Sequence, residues 1–278
     1  MRGHHEVRTR AAKARIVSVH GDESIERIDR VATEEPMEVR VGGLGREPSP
    51  LVVTMRTPGD DFELAAGFLF TEGLVATAGE IESIAYCVGP GGVQEYNVVT
   101  VTLRREWDVA LRRTFLANAS CGICGKSSID EVEVHCAPVG PGPVVARSVL
   151  RSLPERLRAA QAVFAETGGL HASGLFTPDG DLISAREDVG RHNALDKVIG
   201  EQFLAGRVPL SDAVLAVSGR ASFEIVQKAA VAGIPFVAAV SAPSSLAVDA
   251  ARHLGLTLVG FLRDDGFNVY AGSERVDA

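Results

Sequence analysis

Between Ala213 and Leu262, three short apolar runs alternate with two segments that open on serine. Ala213 to Ser218, Ile234 to Val240 and Leu256 to Leu262 are almost unbroken in Val, Ala, Leu, Ile and Phe. An apolar run of this length, bounded by turn residues, reads as a strand buried on both faces. The segments between the runs begin at Ser222 and Ser244. A serine there suits the free N–H groups at a helix start. Successive strand–helix–strand units leave few topologies open, because parallel strands need a crossover and the crossover helices must cover the sheet. A turn at Asp265-Gly266 then leads into Phe267 to Tyr270, an antiparallel partner. The expected fold class is α/β.

The preceding stretch fits the same plan. Ser152 and Glu155 form a capping-box pattern, with Leu157, Ala160 and Phe164 on one helical face and Gly168-Gly169 as the stop. Gly174 to Ala185 reads as a hairpin turning at Pro178-Asp179-Gly180, and Asp188 is placed to cap a helix running to Gly206. The first 120 residues are different. Ile16 to His20, Leu51 to Met55 and Tyr96 to Leu103 carry strand-type patterns around one helix candidate, Asp60 to Phe70. Gly42 to Pro50 and Gly89 to Gly92 read as loops. VGPGP at 139–143 can hardly be helix or strand interior. The expected organisation is a strand-rich N-terminal domain over 1–138, ending in a cysteine loop, and an α/β domain over 139–278.

Composition narrows the function class. The formal net charge of −8 argues against broad nucleic-acid binding, though one anionic ligand can still sit in a local basic cluster. No apolar run reaches the length of a membrane span, and the polar start, Met1 to Glu6, has no signal-peptide core, so a cytoplasmic location is expected. With only four cysteines (Cys87, Cys121, Cys124 and Cys136), a reducing compartment is the natural setting.

Three clusters carry chemistry. The first is Asn118-Ala119-Ser120-Cys121-Gly122-Ile123-Cys124-Gly125-Lys126. Two thiols at this spacing can share a metal, form a disulfide or act in turn as nucleophiles. The glycines leave the sulfurs open and Lys126 favours the thiolate. Zinc would need two more ligands, which Cys87, Cys136 or His135 would have to supply without a second C-x-x-C pair; no metal is expected. The second cluster gathers His171, Asp188, Arg191 and His192 among glycines, the composition of a lined cavity. The third comprises Ser218-Gly219-Arg220, Ser241 and Arg263, each just past the carboxyl end of an expected parallel strand, where open α/β sheets bind ligands. Helix starts at Ser222 and Ser244 favour anions, and Arg220 and Arg263 suit phosphates.

NASCGICGK, TGGLHASGL, EDVGRHNALDKVIG, SGRASFEIVQKAAVAGIP, SAPSSLAVDAA and GFLRDDGFNVY together resemble the formate dehydrogenase accessory sulfurtransferase family (FdhD/NarQ), strongly over about 115–272 and more loosely before it. The resemblance implies a sulfurtransferase that takes sulfur from a cysteine desulfurase as a persulfide on Cys121, with Cys124 as partner. It implies delivery to the molybdenum of a bis(molybdopterin guanine dinucleotide) cofactor before that cofactor enters formate dehydrogenase. Cofactor contact is carried to Phe261, Leu262, Arg263, Asp264, Asp265 and Gly266, a cytidine-deaminase-like fold to the C-terminal domain, and a homodimer is expected. The alternatives are a cofactor-binding chaperone with no chemistry of its own and a zinc deaminase. A deaminase needs H-x-E ahead of its C-x-x-C. Here His171-Ala172-Ser173 has serine in place of the glutamate and follows the cysteine pair.

Overall fold

The computed structural model describes residues 9–88, 94–107 and 138–278. The chain is mixed α/β. A hairpin of β1 (Ala11–His20) and β2 (Glu23–Ala32) comes first, followed by a four-stranded sheet of β3 (Glu35–Gly43), β4 (Arg46–Arg56), β5 (Ile81–Val88) and β6 (Gln94–Leu103) in the order β4-β3-β6-β5. Alternation builds that sheet: Met37, Val39 and Val41 on β3 and Val99, Val101 and Leu103 on β6 all turn to one buried face. Helix α1 (Asp61–Thr71) covers it with Leu64, Ala65 and Leu69, at the place the apolar spacing predicts.

The expected loop over Gly42 to Pro50 is instead a tight turn at Gly45 (φ +69°) running directly into β4. Pro48 and Pro50 are tolerated in a strand because β4 lies at the sheet edge and its pairing with β3 shifts register between Val39 and Arg40. The expected loop at Gly89 to Gly92 lies outside the described residues.

The second half centres on six strands in the order β13-β12-β11-β10-β8-β9. β10 (Val214–Val217), β11 (Phe236–Ala239) and β12 (Thr257–Gly260) are parallel. Antiparallel partners flank them: β8 (His171–Phe176) and β9 (Leu182–Asp188) on one side, β13 (Asn268–Ala271) on the other. The strand–helix alternation and the turn before β13 therefore fold as the sequence reads. Alternate residues feed two cores. Leu215, Val217, Val237, Ala239 and Leu258 join the larger one with α1, α4 (Arg191–Leu204), α5 (Phe223–Val231) and α6 (Ser245–His253). Val214, Ala216, Phe236, Ala238 and Val259 meet Leu150, Leu153 and Leu157 of α2 (Arg147–Ala159) on the opposite face. A short parallel pair, β7 (Val145–Ala146) with β14 (Val276–Asp277), closes the chain end. Among the described residues, no helix is long and apolar enough to cross a membrane.

Two helix starts differ from expectation. α2 begins at Arg147, so Ser152 is interior, and its hydroxyl donates back to the Val149 carbonyl (2.7 Å) instead of capping. The helix then stops, and a separate α3 (Ala162–Thr167) follows, whose first-turn N–H groups at Val163 and Phe164 donate to the Glu187 carboxylate at 2.9 and 2.7 Å. Asp188 is not the cap of α4; Gly190 occupies that position. Asp188 is fully buried and ion-pairs with Lys197 at 2.7 Å. It also accepts from the N–H groups of Thr57 (3.1 Å) and Gly190 (2.8 Å), while Lys197 donates to the Thr57 carbonyl (2.9 Å). A charge this deep persists only when its partner and its remaining hydrogen bonds are complete.

The two halves meet at α1 and α4. A Cβ on Gly67 would lie 1.9 Å from the Asp196 carbonyl oxygen, and one on Gly200 would lie 1.9 Å from that of Glu63. The backbones touch where only hydrogen fits. Gly200→Ala is therefore expected to lower unfolding free energy in urea by about 3 kcal/mol, the upper end of the usual cost of overpacking, because the clash is with backbone.

Candidate functional site

The loops after β10, β11 and β12 form one row. Past the formal strand ends the ladder continues: the N–H of Val240 donates to Val217, Ser241 to Gly219, Ser244 to Ala221, Phe261 to Ser241 and Leu262 to Ala239. The row therefore fixes Ser218, Gly219, Ser241 and Phe261 relative to one another. The Ser218 hydroxyl accepts from the Ala172 N–H at 2.9 Å, tying the row to β8. Phe261 is half-exposed and holds φ +53°, a left-handed backbone that a bulky side chain rarely adopts.

His171 and Arg191 meet over Gly219. A Cβ there would lie 3.3 Å from His171 Nδ1 and 3.9 Å from Arg191 Cδ, so the glycine keeps the space between imidazole and arginine open. Arg191 Nε is buried and has no hydrogen-bond partner among the described residues, an unsatisfied cationic donor that an anion would complete. His192 is next. Its Nε2 lies 2.8 Å from Glu224 Oε2 and 3.2 Å from the Ser222 hydroxyl, joining the first turns of α4 and α5. Both of these helix starts, and that of α6 capped by Ser244, open at the row; their free N–H groups and dipoles favour negative charge.

The remaining expected site residues are less uniform. Arg220 is exposed beside the row. The Arg263 guanidinium folds back onto the carbonyls of Val240 and Leu262, and the Arg263 N–H closes a turn with the Gly266 carbonyl at 2.8 Å. Asp264 and Asp265 are exposed, whereas the Leu262 side chain is buried in the smaller core and offers the site only backbone. Cys121 and Cys124 lie outside the described residues, as does Cys136; Cys87 is a free thiol on β5. Among the described residues, no group of three or more His, Cys, Asp and Glu side chains is placed to hold a metal ion. Glu224, which anchors His192, escaped sequence reading; its signal was a carboxylate in the first turn of a helix that opens at a ligand-binding loop.

The model of the FdhD/NarQ family matches residues 32–277. The chain belongs to the FdhD/NarQ family. Similar FdhD/NarQ relatives include the sulfur carrier protein FdhD of Streptomyces coelicolor, 53% identical over 258 residues that cover 90% of each chain. That of Mycobacterium tuberculosis is 49% identical over 275 residues, 95% of this chain and 98% of the relative. The crystal structure of a proposed formate dehydrogenase accessory protein from Desulfotalea psychrophila superposes with a TM-score of 0.74 at 26% identity, covering 97% of this chain and 100% of that one.

Burial holds the His171 imidazole below its ordinary titration range, and the charges of Arg191 and His192 push it in the same direction against Asp188. The ring is thus neutral at pH 7. Its folded-state value lies below the unfolded one, so its contribution to stability is complete above the unfolded value and is lost as pH falls through the folded one. We expect the His171 ring resonance in an NMR titration to have a midpoint below that of an exposed histidine, and Arg191→Ala to move the midpoint upward.

Proposed function

We propose that this chain is a sulfur carrier that accepts sulfur from a cysteine desulfurase as a persulfide on Cys121. It then delivers the sulfur to the molybdenum of a bis(molybdopterin guanine dinucleotide) cofactor before insertion into formate dehydrogenase. The observation that carries the reading is the Cys121-Gly122-Ile123-Cys124 pair, with Lys126 close by in sequence, in a chain about half identical to proteins named sulfur carriers. In the first step the Cys121 thiolate attacks the outer sulfur of the donor's persulfide, the donor's S–S bond breaks, and its cysteine leaves as thiolate. The sulfur so gained is at the zero oxidation level. To leave as sulfide it needs two electrons, which the Cys124 thiolate supplies by attacking Cys121 and closing a disulfide. The cofactor is cargo here, and the chain's task is to hold its anionic groups.

The row at the strand ends supports that half of the reading. It offers helix starts and a buried guanidinium Nε with no hydrogen-bond partner among the described residues, both suited to a diphosphate, next to the segment Phe261 to Gly266 that the family resemblance assigns to the cofactor. We also read the six-stranded half as cytidine-deaminase-like, with deaminase chemistry lost because buried Ser173 stands where the proton-shuttling glutamate would be. The chain is further proposed to act as a homodimer.

Incubation with a cysteine desulfurase and cysteine should add one sulfur, roughly 32 Da by intact mass spectrometry, and Cys121→Ala should abolish the gain. A gain that survives the substitution rejects the assignment. Replacing both Cys121 and Cys124 by Ala should leave nucleotide affinity within about threefold while failing to activate formate dehydrogenase in a strain lacking its own copy. Full activation by that variant would favour a chaperone that only holds the cofactor.

A further inference from the structure

The β1–β2 hairpin is a sheet of two strands, paired along their whole length from Ala11 opposite Ala32 to His20 opposite Glu23. A two-stranded ribbon is marginal in water, and three or more strands are the usual minimum for a sheet that stands by itself. Support from the rest of the chain is concentrated where the hairpin joins it. There Ala11 is buried, and Arg30 pairs with Glu166 of α3 at 2.9 Å. A Cβ on Gly169 would lie 3.4 Å from the Ala32 Cβ, so this contact is with a face of the hairpin and not with its edge. Farther out, Val17, Val19, Ile25 and Ile28 are 58–65% exposed. The edge is open too: among the described residues, β2 exchanges backbone–backbone hydrogen bonds with β1 alone. An edge of this kind is a template for one more strand.

The order of residues along β2 says which strand fits. Two copies of β2 can pair antiparallel about a two-fold axis perpendicular to the sheet, which keeps each side chain on its own face and sets one residue against its own copy. With Ile28 on the axis, Ile28 meets Ile28 of the second copy, Arg27 meets Asp29, Glu26 meets Arg30, and Ile25 meets Val31. Every charge then opposes its opposite, and every one of these apolar residues opposes another. Arg27 and Asp29 already pair within the strand at 3.2 Å, so four charges of alternating sign close into a ring on that face. The neighbouring registers fail. Centred on Arg27 or on Asp29, they set a charge against its own copy. Strand β1 offers no equivalent, because it carries Lys13 and Arg15 but no carboxylate to oppose them.

We propose that β2 pairs with β2 of a second copy of this chain in the register centred on Ile28, giving a four-stranded sheet in the order β1-β2-β2-β1. The inference rests on the homodimer reading above and gives that dimer its contact surface. The pairing supplies the strands that each hairpin lacks, satisfies the open edge of β2, and gives Ile25 and Ile28 apolar neighbours across the new ladder. It also closes on itself. The outer edges belong to β1, where Lys13 and Arg15 discourage addition of a further strand.

Sedimentation equilibrium of the full chain tests this. Two strand edges make a small contact, so a micromolar dissociation constant is expected for the parent. Ile28→Glu should raise that constant by about tenfold or more, because it places two carboxylates on the axis. Within its own hairpin Ile28 faces Arg15, so the strand itself accepts the acid. Arg27→Asp should weaken the dimer in the same direction. Adding Asp29→Arg to it should bring the constant back to within about threefold of the parent, since the pairing is reversed but again complementary. Failure of this double variant to restore the dimer overturns the register. Equal constants for the parent, Ile28→Glu and Arg27→Asp overturn the interface and leave a homodimer held by another surface. A parent chain that sediments as a monomer up to about 100 μM overturns interface and homodimer together, leaves the edge to a strand of a different protein, and does not touch the sulfur-carrier reading. Should Ile28→Glu not fold, the single and double charge exchanges still decide.

Discussion

The backbone contact between α1 and α4 sets the rest of the molecule. Gly67 and Gly200 let the two helices approach until the carbonyl of each occupies the space a side chain would fill on the other. Because α1 belongs to the four-stranded sheet and α4 to the six-stranded one, this crossing fuses the apolar faces of both into a single large core. Phe70 and Phe203 stack at 4.7 Å further along the same contact. Close packing turns a local approach distance into a global constraint, since interiors transmit displacement instead of absorbing it. Arg191 and His192, at the start of α4, are placed over the strand ends by where the far turns of that helix are held.

Charge completes what packing begins. The loop after β4 would be free to drift without Asp188 and Lys197, which grip the N–H and carbonyl of Thr57 from the opposite half. Asn193 adds a bond to the Met55 carbonyl at 2.8 Å. Buried polar groups of this kind are stringent: complete, they fix one arrangement, and incomplete, they cost more than an apolar pair would. Arg56 and Asp61 do the same nearby, in a fork with contacts of 2.9 and 3.0 Å that is fully buried on the arginine side.

The sequence was most legible where one periodicity dominates. The strand–helix alternation from 213 to 262 could be read residue by residue, because buried parallel strands and serine-capped helices have local signatures. Motifs whose meaning depends on distant partners were less so. Asp188 has the type of a cap residue and becomes one end of an ion pair because Lys197 and Thr57 surround it, which no local window contains. Ser152 satisfies a capping pattern that an interior serine meets equally well by bonding backwards. Pro48 and Pro50 mark a loop in isolation and an edge strand once the sheet order is known. At the candidate site, the residue types at 171, 191, 192 and 218–220 were readable, whereas the carboxylate of Glu224 gains meaning only through His192, a partner on a different helix.

The neighbours Glu187 and Asp188 sit on opposite faces of β9. One turns outward to hold the first turn of α3, on which the β1–β2 hairpin leans through the Arg30–Glu166 pair; the other turns inward to the buried lysine. Because side chains alternate strictly along a strand, a slip of a single position between β8 and β9 would exchange these two carboxylates. The shorter acid would then face the helix it cannot reach, and the longer one would be forced into a core built around its neighbour. The turn at 177–181 consequently has no neutral length variants: the hairpin is locked in its frame by two adjacent charges that cannot trade places.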